Sequence, residues 1–186
     1  MINIIDLKKT YEDKLVLEGI SLQFPSKGIV RIMGESGRGK TTLLRIIAGL
    51  DTADSGTVEV NGTISMVFQE DRLLPYISAL DNVKLVSSSD SIDRNPEQIL
   101  NDMGLGEDLH TRAGKLSGGM ARRVAIARAL AKEADIYIMD EPIQGLDAST
   151  TQDVISAILK YTAGKLLIIV THSEEEFTES DLTINL

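Results

Sequence analysis

A glycine-rich segment, GESGRGKTT at residues 34–42, has residue types and spacing that predict phosphate chemistry. It matches the pattern G-x-x-x-x-G-K-[ST], in which the backbone N–H groups of the glycines surround phosphate oxygens. Lys40 then reaches the β and γ phosphates, and the hydroxyl of Thr41 is offered to Mg²⁺. A flexible glycine turn before an ordinary helix is the alternative. It is the weaker interpretation, because every fixed position matches and a strand pattern precedes the segment while a helix pattern follows it.

Two adjacent acids stand at the end of IYIMD (136–140), a stretch typical of a buried central strand: Asp140 is its last residue and Glu141 follows it. Ligands of open α/β sheets bind at the carboxyl ends of the strands. There, Asp140 can hold Mg²⁺ through water, and Glu141 can polarise a water towards the γ-phosphate as a general base. Two acids solvated at a strand end are the alternative, and the upstream phosphate segment makes that alternative the weaker one.

Three further residues are candidates for the same site, although none is specific alone. Gln69 follows the apolar stretch ISMVF (64–68), and its amide can bind Mg²⁺ or orient water. His172 follows LLIIVT and can bond the γ-phosphate, but a histidine at a strand end is more often structural. Tyr11 can stack on a base, but an early tyrosine is more often a packed hairpin residue.

A second phosphate-binding turn is predicted in KLSGGMARR (115–123). Ser117 is a favourable N-cap, and the N–H groups of Gly118 and Gly119 stand at the positive end of the following helix. One nucleotide needs only one such cradle, so a second one requires an explanation.

The elements that must position these residues alternate between strand and helix patterns, which predicts an α/β domain with a largely parallel central sheet. An antiparallel β subdomain is predicted at the N-terminus. The predicted domain is single, covers 1–186 and has a small helical insert at about 70–116. Predicted strands cover 2–7, 17–24, 29–33, 64–68, 136–140 and 166–172, a hairpin-like piece covers 54–62, and predicted helices cover 41–50, a stretch from 118 onwards and 150–161.

Composition narrows the classes of function. The net charge of −9 argues against nonspecific binding of nucleic acid, and the absence of cysteine excludes disulfides and thiolate metal sites. The longest apolar run, LLIIV (166–170), is too short to cross a bilayer. A membrane partner would therefore be a separate polypeptide.

The order of GESGRGKTT, FQED, LSGGM, IYIMDEP, GLD and TH resembles that of the ATP-binding cassette (ABC) ATPase family over essentially the whole chain. The resemblance implies a phosphate-loop NTPase fold, with ATP and Mg²⁺ as cofactors. It identifies Glu141 as the catalytic base and His172 as the switch histidine. It further implies an adenine-stacking role for Tyr11 and metal contacts for Thr41, Gln69 and Asp140. The implied phosphate loop is Gly34, Glu35, Ser36, Gly37, Arg38, Gly39, Lys40, Thr41 and Thr42.

The resemblance also explains the second cradle. In this family two nucleotide domains pair head to tail, so that Ser117, Gly118 and Gly119 would serve the partner's ATP and Asp147 would contact the partner subunit. The chain departs from the family at Met120, where glutamine is usual, and at Ser173, where aspartate is frequent. Methionine cannot complete the capping box that glutamine would form. Hydrolysis is still expected, because Ser117 and the backbone N–H groups are retained.

Transport is the function that the resemblance favours. The implied partners are a second nucleotide-binding domain and a separate transmembrane permease, with a substrate-binding protein as an optional third component, on the cytoplasmic face of the membrane. Residues 72–83, RLLPYISALDNV, resemble the corresponding segment of importers of nitrate, sulfonates and taurine, and also that of some exporters and lipoprotein-release systems. The alternatives are a soluble ATPase doing mechanical work on another macromolecule, an ATP sensor without turnover, and a phosphate-loop kinase.

Overall fold

The structure is a computed structural model that describes residues 1–87, 94–172 and 176–186. The chain divides into two compact units. The first comprises Met1–Ile64, Asp135–Asp140 and Gly164–Leu186, and the second comprises Ser65–Ala134 and Glu141–Ala163. Over the described ranges, every helix is too short or too polar to span a bilayer. Ser173 and most of the serine-rich stretch of the predicted insert (88–93) lie outside the described residues.

An antiparallel sheet occupies the N-terminal part of the first unit. Its strands are β1 (Ile2–Tyr11), β2 (Lys14–Phe24) and β4 (Ser55–Val60), in the order β2-β1-β4. Alternation of apolar and polar residues buries one face of β1. The predicted antiparallel subdomain is confirmed, and both early strands run further than predicted. The predicted hairpin at 54–62 is wrong, because this piece forms the single strand β4, which pairs with β1.

A parallel sheet forms the rest of the first unit. Within that unit the strands β3 (Gly28–Met33), β6 (Ile136–Asp140), β7 (Leu166–Val170) and β8 (Leu182–Asn185) lie in the order β6-β7-β3-β8. All residues of β6 and β7 are buried, as continuous apolar runs predict for central parallel strands. Helix α1 (Lys40–Ile47) follows β3 and buries Leu43, Leu44, Ile46 and Ile47. The predicted fold class is therefore confirmed, whereas β8 had no sequence signal strong enough to predict it.

The second unit is largely helical. The chain enters it through β5 (Ile64–Val67), and its helices are α2 (Ala79–Lys84), α3 (Pro96–Asp102), α4 (Gly118–Ala131) and α5 (Ala148–Tyr161). Two 3₁₀ turns, Gly106–Asp108 and Ala113–Lys115, lead into α4. The other three helices contact α4, which makes α4 the centre of the unit. Each helix begins at a polar cap whose side chain accepts a backbone N–H: Ser78, Asn95, Ser117 and Asp147.

Candidate nucleotide site

The phosphate loop lies between β3 and α1 in the first unit, at the carboxyl edge of the parallel sheet. Gly39, the N-cap of α1, has a φ of +89°. A Cβ there would lie 2.7 Å from Leu17 Cδ2 and 2.9 Å from the carbonyl oxygen of Val16, so only glycine fits. The loop backbone therefore turns in front of the N-terminus of α1, where unpaired N–H groups and the helix dipole favour an anion.

The side chain of Lys40 contacts this loop. Its ammonium is buried, and Nζ donates to the carbonyl oxygens of Gly34 at 2.7 Å and Glu35 at 2.8 Å. The side chain thus crosses the loop rather than extending into solvent. A phosphate bound in the loop would meet a preorganised cation, whose position costs little additional entropy on binding.

Thr41 and Asp140 are brought together although 99 residues separate them. The Thr41 hydroxyl donates to Asp140 Oδ2 at 2.8 Å, and Asp140 is buried at the end of β6. The pair supplies a hydroxyl and a carboxylate oxygen, which are the hard ligands that Mg²⁺ prefers. Within the described residues there is no cluster of three or more histidines, cysteines and acids that could hold a metal. A metal here would depend on the phosphates and on water, as Mg²⁺ usually does.

Strand register places His172 near the same edge of the sheet. Val170, the last residue of β7, pairs with Asp140 on one side and with Ile32 on the other. The carboxyl ends of β3, β6 and β7 therefore lie side by side. The phosphate loop follows β3, Asp140 ends β6, and the Thr171–His172 segment follows β7. The side chain of His172 is exposed.

Tyr11 lies at the end of β1 in a small polar network that sequence reasoning missed. Its hydroxyl donates to the carboxylate of Asp51, and the neighbouring Thr42 of the phosphate loop acts to lower the pKa of Tyr11. Lys9 Nζ forms an ion pair with Asp51 Oδ1 at 2.9 Å and lies 5.0 Å from the Tyr11 ring centroid. The hydrogen bonds from Tyr11 and Lys9 lower the pKa of Asp51 to about 2, and the bond to Asp51 raises the pKa of Tyr11. The network fixes the tyrosine beside the phosphate loop with part of its surface exposed.

The second predicted cradle begins α4 in the second unit. Ser117 Oγ accepts the N–H of Met120 at 3.2 Å, which is the serine half of a capping box. Ser117 and Gly118 are exposed, and the first turn carries no acid. Among the described residues, apart from the chain neighbours of Gly118 and the backbone of its own helix, no atom lies within 4 Å of the position of a Gly118 Cβ. The positive end of this 14-residue helix is thus open to an anion supplied from outside the second unit.

Glu141 has an unusual backbone. Its φ is +50°, in the left-handed region that costs a non-glycine residue about 1–2 kcal/mol. Such strain persists where the surrounding structure fixes it, and it is concentrated at functional sites. The side chain is half-buried, and the carbonyl oxygen accepts a hydrogen bond of 2.7 Å from Arg122 Nη2.

Gln69 and Asp147 also belong to the second unit, and both are exposed. The carbonyl oxygen of Gln69 accepts from Arg122 Nη1 at 3.3 Å. Asp147 caps α5 by accepting the N–H of Thr150 at 3.0 Å, together with the Ser149 hydroxyl. These bonds, led by that from Ser149, lower the pKa of Asp147 to about 2, so the carboxylate stays charged.

A glycine-rich loop between strand and helix, with a buried lysine and an acid at the carboxyl edge of a parallel sheet, defines a phosphate-loop nucleotide-binding protein. The family model described as "ABC transporter" matches residues 17–144. That match covers more than half of the chain, and the chain belongs to this family. Its role is that of an ATP-hydrolysing nucleotide-binding subunit of a transporter.

Individual relatives and a solved structure agree with this assignment. The aliphatic sulfonates import ATP-binding protein SsuB 1 of Paracoccus denitrificans is 36% identical over 174 residues, covering 91% of this chain and 72% of the relative. SsuB 2 of Burkholderia cenocepacia is 38% identical over 180 residues, covering 91% and 67%. The ATP-binding cassette MJ0796, solved as a dimer in a post-hydrolysis state with ADP and Pi, superposes with a TM-score of 0.87 at 29% identity. The superposition covers 100% of this chain and 94% of that one. The family resemblance inferred from the motifs is confirmed, while the roles of single residues stay predictions.

Proposed function

We propose that the chain drives the import of aliphatic sulfonates, or of small organic anions of that class, through a separate transmembrane permease. Support comes from relatives at 36–38% identity whose names carry this activity and from residues 72–83, which resemble the same importer group. The chain would act as one nucleotide-binding domain over 1–186, with a helical insert at about 70–116. It would lie on the cytoplasmic face of the membrane, with a substrate-binding protein as a further component and no nucleic acid as a partner.

The observation that best supports ATP hydrolysis is the hydrogen bond between Thr41 of the phosphate loop and Asp140. The loop N–H groups and Lys40 would bind the β and γ phosphates of ATP, and Tyr11 would stack on adenine. Thr41, Asp140 and Gln69 would hold Mg²⁺, whose oxygen-ligand preference fits their donor groups. When bound, Mg²⁺ supplies a positive charge that offsets the charge of the phosphates.

Glu141 would act as the general base towards the attacking water, and His172 would contact the γ-phosphate. A base placed in this way contributes about 10²–10⁴-fold to the rate. Because Glu141 follows Asp140 directly in the chain, the two carboxylates that the reaction needs come from one strand end.

The open N-terminus of α4 is the observation that favours a two-chain site. Ser117 and the N–H groups of Gly118 and Gly119 would bind the γ-phosphate of an ATP held by a second nucleotide-binding domain, and Asp147 would face that partner. Each cradle then serves a different nucleotide. The partner would be a second copy of this chain or a similar chain.

The test is an ATPase assay of the wild type against Glu141→Gln, together with capture from membranes through a tag on the chain. We expect turnover to fall at least 100-fold in the variant, and a multispanning membrane protein to co-purify with the wild type. Addition of an alkanesulfonate to the captured complex with its binding protein should stimulate hydrolysis, whereas an amino acid should not. Turnover without any membrane partner would favour the soluble mechanical ATPase instead.

A further inference from the structure

The buried guanidinium of Arg122, four residues into α4, connects two segments of the proposed catalytic machinery within the second unit. Arg122 is 5% exposed, so its charge must be compensated by partners inside the unit. On one side Nε donates to the carbonyl oxygen of Pro142 at 2.9 Å, and Nη2 donates to that of Glu141 at 2.7 Å. These two bonds hold the peptide groups of the proposed base and of the residue after it.

On the other side, Arg122 holds the segment that follows β5. Its Nη1 donates to the carbonyl oxygens of Phe68 at 2.5 Å and Gln69 at 3.3 Å, and it lies 3.3 Å from Asp71 Oδ1. One planar group therefore bonds the backbone of the proposed base and the backbone of the proposed metal-linked glutamine. The fork of a guanidinium can do this, whereas the single ammonium of lysine cannot reach both sides in the same geometry.

The backbone of Glu141 gives this connection a catalytic consequence. With φ at +50°, Glu141 occupies a conformation that a non-glycine residue adopts only when neighbours enforce it. The bond from Nη2 is made to the carbonyl of this same residue. Loss of the bond would let the peptide relax towards ordinary φ values, which would swing the carboxylate away from its position.

Arg128, on the same helix, provides a matched control for a purely structural role of Arg122. Arg128 also bonds the segment after β5, through the carbonyl oxygens of Asp71 and Arg72, both at 2.8 Å. No such bond joins it to Glu141 or Pro142 among the contacts of the described residues. Bracing of that segment is thus shared by two arginines, whereas the link to the base is made by Arg122.

We propose that Arg122 is a positioning residue for hydrolysis. It keeps Glu141 in its left-handed backbone conformation and fixes the backbone of Glu141 relative to that of Gln69. The inference rests on the proposed function, because it requires Glu141 to be the base. Displacement of a catalytic group by about 1 Å can cost 10²-fold in rate. We therefore expect Arg122→Lys to lower kcat by about 10- to 100-fold, with ATP affinity changed by less than about threefold, since the residues of the phosphate loop and Tyr11 are left unchanged.

The experiment compares Arg122→Lys and the control Arg128→Lys in the full chain, captured in its transporter assembly. ATP affinity, kcat and the melting temperature are measured for each, and kcat is measured well below both melting temperatures. Arg122→Lys is then combined with Glu141→Gln in a double-mutant cycle. If Arg122 acts through the base, the second change should lower the residual rate of Glu141→Gln by less than about threefold, because no base is left to position.

Each result of this experiment either supports or overturns the positioning role of Arg122. A fall in kcat confined to Arg122→Lys and absent from the Glu141→Gln background supports the proposal. Equal effects of the two lysine variants, or losses that multiply in the double variant, overturn it. Full turnover of Glu141→Gln alone would instead refute the proposed function.

If Arg122→Lys does not fold, Asp71→Asn replaces it, since this change weakens one partner of Arg122 at a partly exposed site. A several-fold lower kcat at unchanged ATP affinity then supports positioning, and an unchanged kcat contradicts it.

Discussion

Replacing Glu141 by glycine and by alanine separates the strain of its backbone from the chemistry of its carboxylate. Both variants lack the carboxylate, so both should lose turnover to the same extent. They differ in the cost of a φ of +50°, which glycine adopts freely and alanine does not. We expect the glycine variant to be the more stable of the two.

The magnitude follows from two opposing terms. Relief of left-handed strain favours glycine by about 1–2 kcal/mol. The greater flexibility of glycine in the unfolded chain opposes this by about 0.4–1 kcal/mol. The net advantage is therefore about 0–1.6 kcal/mol with a central value of about 0.8 kcal/mol, which corresponds to a melting temperature higher by roughly 2–3 °C for a chain of this size.

Thermal unfolding followed by circular dichroism measures this difference, with the ATPase rate recorded on the same preparations. Ser156→Gly against Ser156→Ala is the control pair, because residue 156 lies inside the regular helix α5 and is exposed. There alanine should be the more stable by about 1 kcal/mol. A Glu141→Ala protein that melts at or above Glu141→Gly would refute the claim that the proposed base is held under backbone strain.

Three further predictions concern the other named contacts. Tyr11→Ala should weaken ATP binding by about 1–3 kcal/mol through lost stacking, whereas Tyr11→Phe should change it little, as titration with a fluorescent ATP analogue would show. Asp51→Asn should remove stability that is present above the ordinary pKa of 3.8 and is lost as pH falls towards about 2, so its melting temperature should vary less with pH over that range than that of the wild type. Met120→Gln should complete the capping box and raise the free energy of unfolding by about 0.3–1.5 kcal/mol in urea titrations, and an unchanged midpoint would contradict that account of the departure from the family pattern.

The parts of the fold that sequence predicts well are those specified by local pattern. The phosphate loop, the buried strands β6 and β7 and the cap of α4 each carry their signal within about ten residues. The cap of α5, Asp147, was not predicted, and the helix begins at Ala148, two residues before the predicted start. The strand β8 was missed because an edge strand with one buried residue has little hydrophobic pattern. The pairing of β4 with β1 joins Val58 to Ile4, a long-range contact that a local hairpin pattern does not encode.

The candidate site likewise contains some contacts that the sequence predicts and others that it does not. The pairing of Thr41 with Asp140 could be anticipated, because the rule for strand ends brings both to one edge of the sheet. The Asp51 network and the Arg122 connection could not be, since each joins segments far apart in sequence. The bonds of Arg122 to Phe68 and Glu141, moreover, go to backbone carbonyl oxygens that any residue possesses. The sequence shows only that Arg122 lies next to the apolar face of α4. The residues around Arg122 in the sequence do not indicate that it bonds the carbonyl oxygen of Glu141. The left-handed φ of Glu141 also has no sequence signal, because glutamate is not a residue that favours it.

The central claim is that each ATP is held between the phosphate loop of one chain and the α4 N-terminus of another. Light scattering on Glu141→Gln with Mg²⁺ and ATP tests it most directly, with Glu141→Gln/Ser117→Arg as the matched control, since arginine at Ser117 would fill the exposed phosphate position. We expect twice the monomer mass of 20.2 kDa for the single variant with ATP, and the monomer mass for the control and for both proteins with ADP. A Glu141→Gln protein that binds ATP and stays monomeric at high concentration would contradict it.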